Sequence, residues 1–456
     1  MAESRTRLGI SAFAIFVFAF VFGGNAVRYV VGLPAFFVLA ALVAVASIVV
    51  FFRMKPERFR WYRMPAPMYW FLALATLSIA WSAYRLESVL GVALQLLTTA
   101  VGIMLAFVLT WHELLRTLAS AMRWLLGLSL LFELWVSLFV REPLMAWWMH
   151  QPEGKTLKIL FWSRDLLFAG GPIQGLLGNS VLLGFIALLG LILFTIQLRA
   201  GLVGKFLGWA WIGIAVATLL LTRSATIWVA LVAVIVVLGF AMWARRIDQS
   251  KRMPLYLTAA GLAAVATAVA IFARDVVFGL LGKSGDLTGR AETWEKVWGL
   301  VEQRPWFGWG WVSYWPDWVE PFKGLDTKAG IPVMSAHNAW LDVWLQLGIV
   351  GLLAFAPIVV LTAQRVWLRA VDQPRRGPGA PLPYATSALW PLLVFTALLV
   401  QSITESRLLI ESGWLLLIVL AVKTRFDFEL PAQTTEPKKR KWRDVPIARD
   451  AGGGAR

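Results

Sequence analysis

Long apolar runs recur along the whole chain, separated by short polar turns. They lie near residues 8–24, 31–52, 67–84, 89–110, 121–140, 178–198, 205–221, 225–243, 254–273, 339–362, 386–404 and 409–422. A helix needs about 20 mostly apolar residues to cross the hydrocarbon layer, and backbone polar groups cannot stay unpaired there. Period-two alternation in segments of about ten residues, which would mark a membrane β-barrel, is not seen. The pattern therefore predicts an all-α, polytopic membrane protein of about twelve transmembrane helices. The apolar stretch after Arg5 and Arg7 shows no small-residue cleavage site and reads as the first span rather than a signal. No internal sequence repeat is evident, which weighs against an inverted-repeat transporter.

The charges orient this map. With the N-terminus inside, the inner segments hold 28 lysines and arginines, and the short outer loops hold four: Arg28, Arg85, Arg223 and Arg407. Positive residues in short loops stay on the cytoplasmic side, so both termini are expected there. The chain then divides into N-terminal spans (1–140), a smaller external segment (141–177), central spans (178–273), a large external loop (274–338), C-terminal spans (339–422) and a basic tail (423–456). The tail carries Lys438, Lys439, Arg440 and Lys441 and is expected to be disordered beside anionic headgroups. Within the large loop, Thr288 can cap a helix that Pro305 ends. Trp294, Val297, Trp298 and Val301 share one face of it. The spacing predicts an amphipathic helix on the outer surface with its tryptophans at headgroup level. Trp147 and Trp148 in the smaller segment suit an interface in the same way.

Composition narrows the chemistry. Of 456 residues, 59% are hydrophobic and 15% charged, with a mean hydropathy of +0.70. The net charge of +17 is explained first by positive-inside bias and membrane lipids, and no nucleic-acid partner is expected. There are no cysteines, which excludes disulfides, thiolate metal sites and cysteine nucleophiles. Only His112, His150 and His337 are available as histidines, so neither a metal centre nor another cofactor is expected.

Four residues stand out on the outer side, where basic residues are scarce. Arg223 sits in the short turn Leu221-Thr222-Arg223-Ser224-Ala225. Arg290 opens the loop helix, Arg164 precedes Asp165, and His337 stands just before a span. Taken singly, each has a plain explanation: an arginine snorkelling to headgroups, a solvated helix arginine, an ion pair, a polar helix entry. Taken together they suit a diphosphate and a hydroxyl. Guanidiniums hold phosphate through forked donors, and a histidine can take a proton near neutral pH. Glu133 and Asp342 are acids inside proposed spans and thus functional candidates. Asp342 shares a helix face with Asn338 and could orient the loop carrying His337. Glu133 has no evident partner.

These residues resemble the O-antigen ligase and polymerase superfamily. The resemblance rests on Gly289-Arg290 with Trp294, on Pro305, Gly308 and Gly310, on His337-Asn338, and on Gly348-Ile349-Val350-Gly351. It extends to Arg223-Ser224 between two spans and to Arg164 with Gly178-Asn179, and covers roughly residues 160–420. Gln346 stands where the family often has an acid, and Ser180 where a proline often follows the asparagine. The resemblance implies a metal-independent glycan transferase of the bacterial inner membrane. Such an enzyme moves a glycan from an undecaprenyl-diphosphate donor to a hydroxyl acceptor, the lipid A–core for a ligase. It implies that Arg223, Arg290 and Arg164 hold the diphosphate and that His337 and Arg290 serve catalysis. Asn338, Asp342 and Asn179 would support them. A polysaccharide polymerase, a protein O-oligosaccharyltransferase and, outside the enzymes, a transporter are the competing readings.

Overall fold

The computed structural model describes residues 2–56, 59–151, 157–272, 288–328, 330–372 and 383–427. Every one of the twelve apolar stretches is helical. In chain order the helices are α1 (Ala2–Phe22), α2 (Gly24–Val31), α3 (Leu33–Met54), α4 (Ala66–Leu77), α5 (Arg85–Val108), α6 (Trp111–Trp135) and α7 (Ser180–Arg199). They continue with α8 (Lys205–Thr222), α9 (Ala225–Ala244), α10 (Met253–Phe272), α11 (Thr288–Gln303), α12 (Ala339–Val371), α13 (Trp390–Thr404) and α14 (Glu411–Asp427). Among the described residues nine helical stretches are long and apolar enough to cross a membrane, while Ala66–Ala80 and Met253–Val265 are shorter apolar helices. The protein is an all-α polytopic membrane protein. Among the described residues one small sheet pairs β1 (Thr327–Lys328) with β2 (Ile331–Pro332), antiparallel.

Boundaries move where polar chemistry, rather than hydropathy, ends a helix. The fifth span was expected from residue 121, but α6 starts at Trp111. There the Thr110 side chain accepts from the Glu113 N–H, and Glu113 accepts from the Thr110 N–H. This capping box satisfies two orphan donors of the first turn. Helix α12 runs on to Val371, and α14 reaches Asp427, five residues into the expected tail. The basic run 438–441 lies outside the described residues. Residues 25–30, expected as a short outer loop between two spans, belong to the short helix α2.

Hydropathy cannot separate helices that face lipid from helices that face protein, because both surroundings are apolar. The structure separates them sharply. About 72% of α7 is buried, against 22% of α3 and α9. Helix α7 packs on α6, α8 and α13; α14 packs on α5 and α12.

Two devices shape one end of the bundle. The first is a break in α12. Gly348 sits at φ 68°, ψ −168°, outside the helical region, so the helix is interrupted and backbone groups are freed. The turn 305–310 plugs the break. Ile349 N–H donates to Pro305 O (2.8 Å), Trp309 N–H to Leu345 O (3.0 Å) and Gly310 N–H to Gln346 O (2.9 Å). A Cβ on Gly348 would lie 2.1 Å from the Trp306 carbonyl, and one on Gly308 2.5 Å from that of Gln346. Both glycines are thus required by close backbone approach.

The second device is the seating of α11. Most of its apolar face, expected at headgroup level, is covered by protein. Val297 and Val301 are buried in a small second core with Tyr84, Trp315, Phe322 and Leu345. Trp298 alone stays markedly exposed, at 45%. The loop supplies its own apolar partners, so the face is spent on protein rather than lipid. Beside that apolar face of α11, Asp326 accepts from Thr293 and Lys296. Burial would raise the Asp326 carboxyl; these partners instead hold it below its ordinary value.

Candidate active site

His337 is delivered by a loop fixed at three points. The Trp294 indole N–H of α11 donates to Ala336 O (2.8 Å). The Ala336 N–H donates to Asp342 Oδ2 (3.2 Å), and Asn338 caps α12 through the N–H groups of Trp340 and Leu341. Asp342 is buried, and its other oxygen accepts from the Trp315 indole (2.9 Å) and the Gln346 amide. Asp342 thus ties the loop that carries His337 to the first turn of α12. His337 itself takes a left-handed conformation at φ 48°.

The imidazole Nδ1 lies 3.1 Å from Glu405 Oε2, and the other oxygen of Glu405 accepts from Arg290 Nη2 at 2.9 Å. Glu405 follows α13 directly. The three side chains therefore form one chain, Arg290–Glu405–His337, drawn from α11, from the α13–α14 turn and from the entry to α12. Arg290 is not a solvated helix arginine: its side chain is only 9% exposed. Burial alone would push the Glu405 carboxyl up. The hydrogen bond and charge of His337, with the charges of Arg290 and Arg407, outweigh burial and hold it below its ordinary value. An ionised Glu405 takes the Nδ1 proton as acceptor, which leaves Nε2 as the imidazole's basic nitrogen.

A polar cavity of about 170 Å³ opens beside this chain. His337, Glu405, Arg407, Tyr314 and Asn179 contribute to its lining. Asn179 also caps α7, accepting from the N–H groups of Val181 and Leu182. A larger apolar groove of about 540 Å³ adjoins it, with Tyr314 and Met334 common to both linings. Phe20, Phe36, Phe37, Leu90 and Leu94 line that groove, and Arg28 and Glu411 reach into it.

The remaining candidates stand apart from the chain of three. Arg223 ends α8 in a left-handed conformation and is exposed. Its guanidinium approaches Gly170 of the segment between α6 and α7, whose Ile173 N–H donates to Leu221 O. No hydrogen bond or ion pair ties it to the described residues. Arg164 gives its Nε to Lys158 O (3.1 Å), keeps its terminal nitrogens free of Asp165, and lies near Tyr29.

Glu133, left without a partner by the sequence, organises that same segment. It is buried and accepts from Ser163 Oγ and from the N–H groups of Gln174 and Gly175. Trp147 and Trp148, expected at an interface, donate their indole N–H groups to Val30 O and Tyr29 O at the end of α2. Those carbonyls are orphans of a helix C-terminus, and the indoles satisfy them.

Sequence reasoning missed Glu405, Arg407 and Glu411. The signal was present: three charges within seven residues of one short turn between two apolar runs, on the side that holds the candidate arginines. The pairing joins positions 68 residues apart, so nearness in the chain does not reveal it.

The family model described as O-antigen ligase matches residues 210–356, a stretch that includes Arg223, Arg290, His337 and Asp342. The exopolysaccharide production protein ExoQ of Rhizobium meliloti (strain 1021) is 27% identical over 220 residues, which is 45% of this chain. The match spans about half the length of that relative, 49%. Over the matched core the chain is similar to the O-antigen ligase family, and the order of its motifs and its polytopic helical fold agree with that likeness.

Proposed function

We propose that this protein transfers a glycan from an undecaprenyl-diphosphate carrier to a hydroxyl acceptor at the outer face of the bacterial cytoplasmic membrane, with both termini cytoplasmic. The observation that carries the reading is the Arg290–Glu405–His337 chain beside a polar cavity that adjoins an apolar groove. In the transfer, the acceptor oxygen attacks the anomeric carbon. The bond from that carbon to the diphosphate oxygen breaks, and the diphosphate leaves with the electron pair. His337 Nε2 takes the acceptor's proton, and Glu405 stabilises the imidazolium that results. General base assistance of this kind is worth about 10²–10⁴-fold. The departing charge is met by Arg223, by Arg164, and by Arg290 from behind Glu405. One preorganised contact to developing charge contributes about 2.7–4 kcal/mol. No step calls for a metal, so transfer should persist in EDTA.

Two acceptors remain in view: the lipid A–core of a ligase and the next lipid-linked repeat of a polymerase. The relative ExoQ is an exopolysaccharide production protein, which favours the polymer. The decisive assay uses purified protein in liposomes with undecaprenyl-diphosphate oligosaccharide and either acceptor. Arg290→Ala and Arg223→Ala should lose transfer while the protein accumulates. His337→Ala should lower turnover more than donor binding. If His337→Gln is as inactive as His337→Ala, proton transfer is supported; near-normal turnover in Gln would leave His337 only a positioning role. Transfer to neither acceptor by the wild type, with solute uptake instead, would replace the enzyme by a transporter.

A further inference from the structure

A second charged cluster adjoins the first. Glu411 opens α14 and accepts from Arg407 Nη1 at 2.8 Å and from Arg28 of α2. Arg28 is itself fixed by a hydrogen bond to Asn25 and by the face of Phe36, 4.3 Å from its guanidinium carbon. Glu411 is therefore gripped from two sides, and its hold on Arg407 sets that guanidinium at the cavity.

The charges of the two clusters do not cancel. Glu405 is matched by Arg290, and Glu411 faces both Arg28 and Arg407, which leaves one positive charge in surplus with His337 neutral. The surplus lies in a shielded place, since the Arg407 side chain is 19% exposed. Arg407 lines the polar cavity together with His337 and Glu405, whereas Arg290 is not among its lining residues. Tyr314 lines the same cavity. Its hydroxyl is pushed up to about 12, by burial first and then by the charge of Glu411, and so stays a donor. A shielded cation, a neutral donor and a histidine around one small cavity make a site for an anion, and charges interact more strongly there than in water.

We infer that Arg407 grips the diphosphate of the donor directly, with Glu411 and Arg28 as the residues that position its guanidinium. This rests on the reading of the donor as a polyprenyl diphosphate. Arg290 then acts behind Glu405, and Arg407 in front of it. An arginine anchored through one nitrogen still presents further N–H donors in a fixed plane, which suits a phosphate oxygen pair.

The test is binding by full-length protein in lipid nanodiscs, with undecaprenyl diphosphate and undecaprenyl monophosphate as probes and thermal unfolding as the check on folding. Arg407→Ala should weaken diphosphate binding by about tenfold or more, the worth of one hydrogen bond to a charged group. It should weaken monophosphate binding less, so the preference for diphosphate shrinks. Arg407→Lys, which can still pair with Glu411, should keep the fold and lose part of the preference. A folded Arg407→Ala with wild-type affinity and preference overturns the inference alone. Should Arg407→Ala fail to fold, wild-type affinity in Arg407→Lys overturns it. Wild-type protein that binds neither lipid overturns the donor reading and the inference with it.

Discussion

Replacing Glu405 by Gln is the most informative single change, because it keeps the shape of the side chain and removes only its charge. The wild-type carboxylate takes two contacts, from Arg290 Nη2 at 2.9 Å and from His337 Nδ1 at 3.1 Å. Its partners are shielded to different degrees: the Arg290 side chain is 9% exposed and that of His337 31%. Breaking a buried pair by removing one partner costs about 3–5 kcal/mol. Some solvent reaches this pair, so the lower end of that range applies to stability. The catalytic effect should be larger than the structural one. A neutral amide can present its NH2 to the imidazole, which favours the tautomer with the proton on Nε2 and no acceptor there. The analogous loss of a carboxylate behind a catalytic histidine costs about 10⁴ in turnover. Glu405→Gln is thus expected to lose about 10²–10⁴-fold in kcat for glycan transfer in proteoliposomes, with donor binding changed much less. A folded Glu405→Gln protein that turns over within about twofold of wild type would falsify the view that this carboxylate sets the histidine, on the scale of general base catalysis.

Four further outcomes are expected. Gly348→Ala places a side chain where φ is positive and where a Cβ meets the Trp306 carbonyl at 2.1 Å. Strain alone is then about 1–3 kcal/mol and expulsion of the plug adds to it, so the unfolding temperature should fall clearly. Gly299→Ala on α11, with nothing within 4 Å, should be neutral or stabilising. Because Glu405 is held below its ordinary carboxyl value, the folded state binds fewer protons there than the unfolded one. Its contribution is complete above that ordinary value and is lost as pH falls through the depressed folded one. Thermal unfolding against pH should show this acid-side loss in wild type and a flatter profile in Glu405→Gln. The orientation is tested by cysteines at exposed Lys323 and Arg246. In intact cells an impermeant thiol reagent should label only the first, and labelling of only the second would invert the topology.

The helices were legible because lipid imposes one rule on every span: about 20 apolar residues with the backbone paired internally. Helix α2 was not, since its eight residues carry Arg28 and serve as a docking post for Trp147 and Trp148 rather than as a span. The loop helix was legible in its spacing and misjudged in its partner. Periodicity shows that Val297 and Val301 share a face, but not that Trp315 and Phe322 would cover it. In the site, His337, Arg290 and the supporting Asp342 could be picked out by type and place. Glu405 was passed over despite the charge cluster around it, because a carboxylate between two spans reads as a solvated turn until the fold carries Arg290 to it. The glycine motif had a similar fate: Gly308 and Gly348 look like a signature in the chain and prove to be mutual clearances between two backbones.

The pairing of Arg28 with Glu411 joins positions 383 residues apart, near the two ends of the chain. Synthesis delivers the first of them 383 residues before the second. Every other span can already sit in the bilayer while α14 is still being made, and at that stage Arg28 and Arg407 have no Glu411 between them. A chain stopped just after α13 would carry Arg290, His337 and Glu405 yet lack the anchor that aims Arg407. On the proposed assignment, nascent or truncated copies would occupy membrane without consuming costly lipid carriers. Completion of α14 would be the moment at which Arg407 is aimed at the donor.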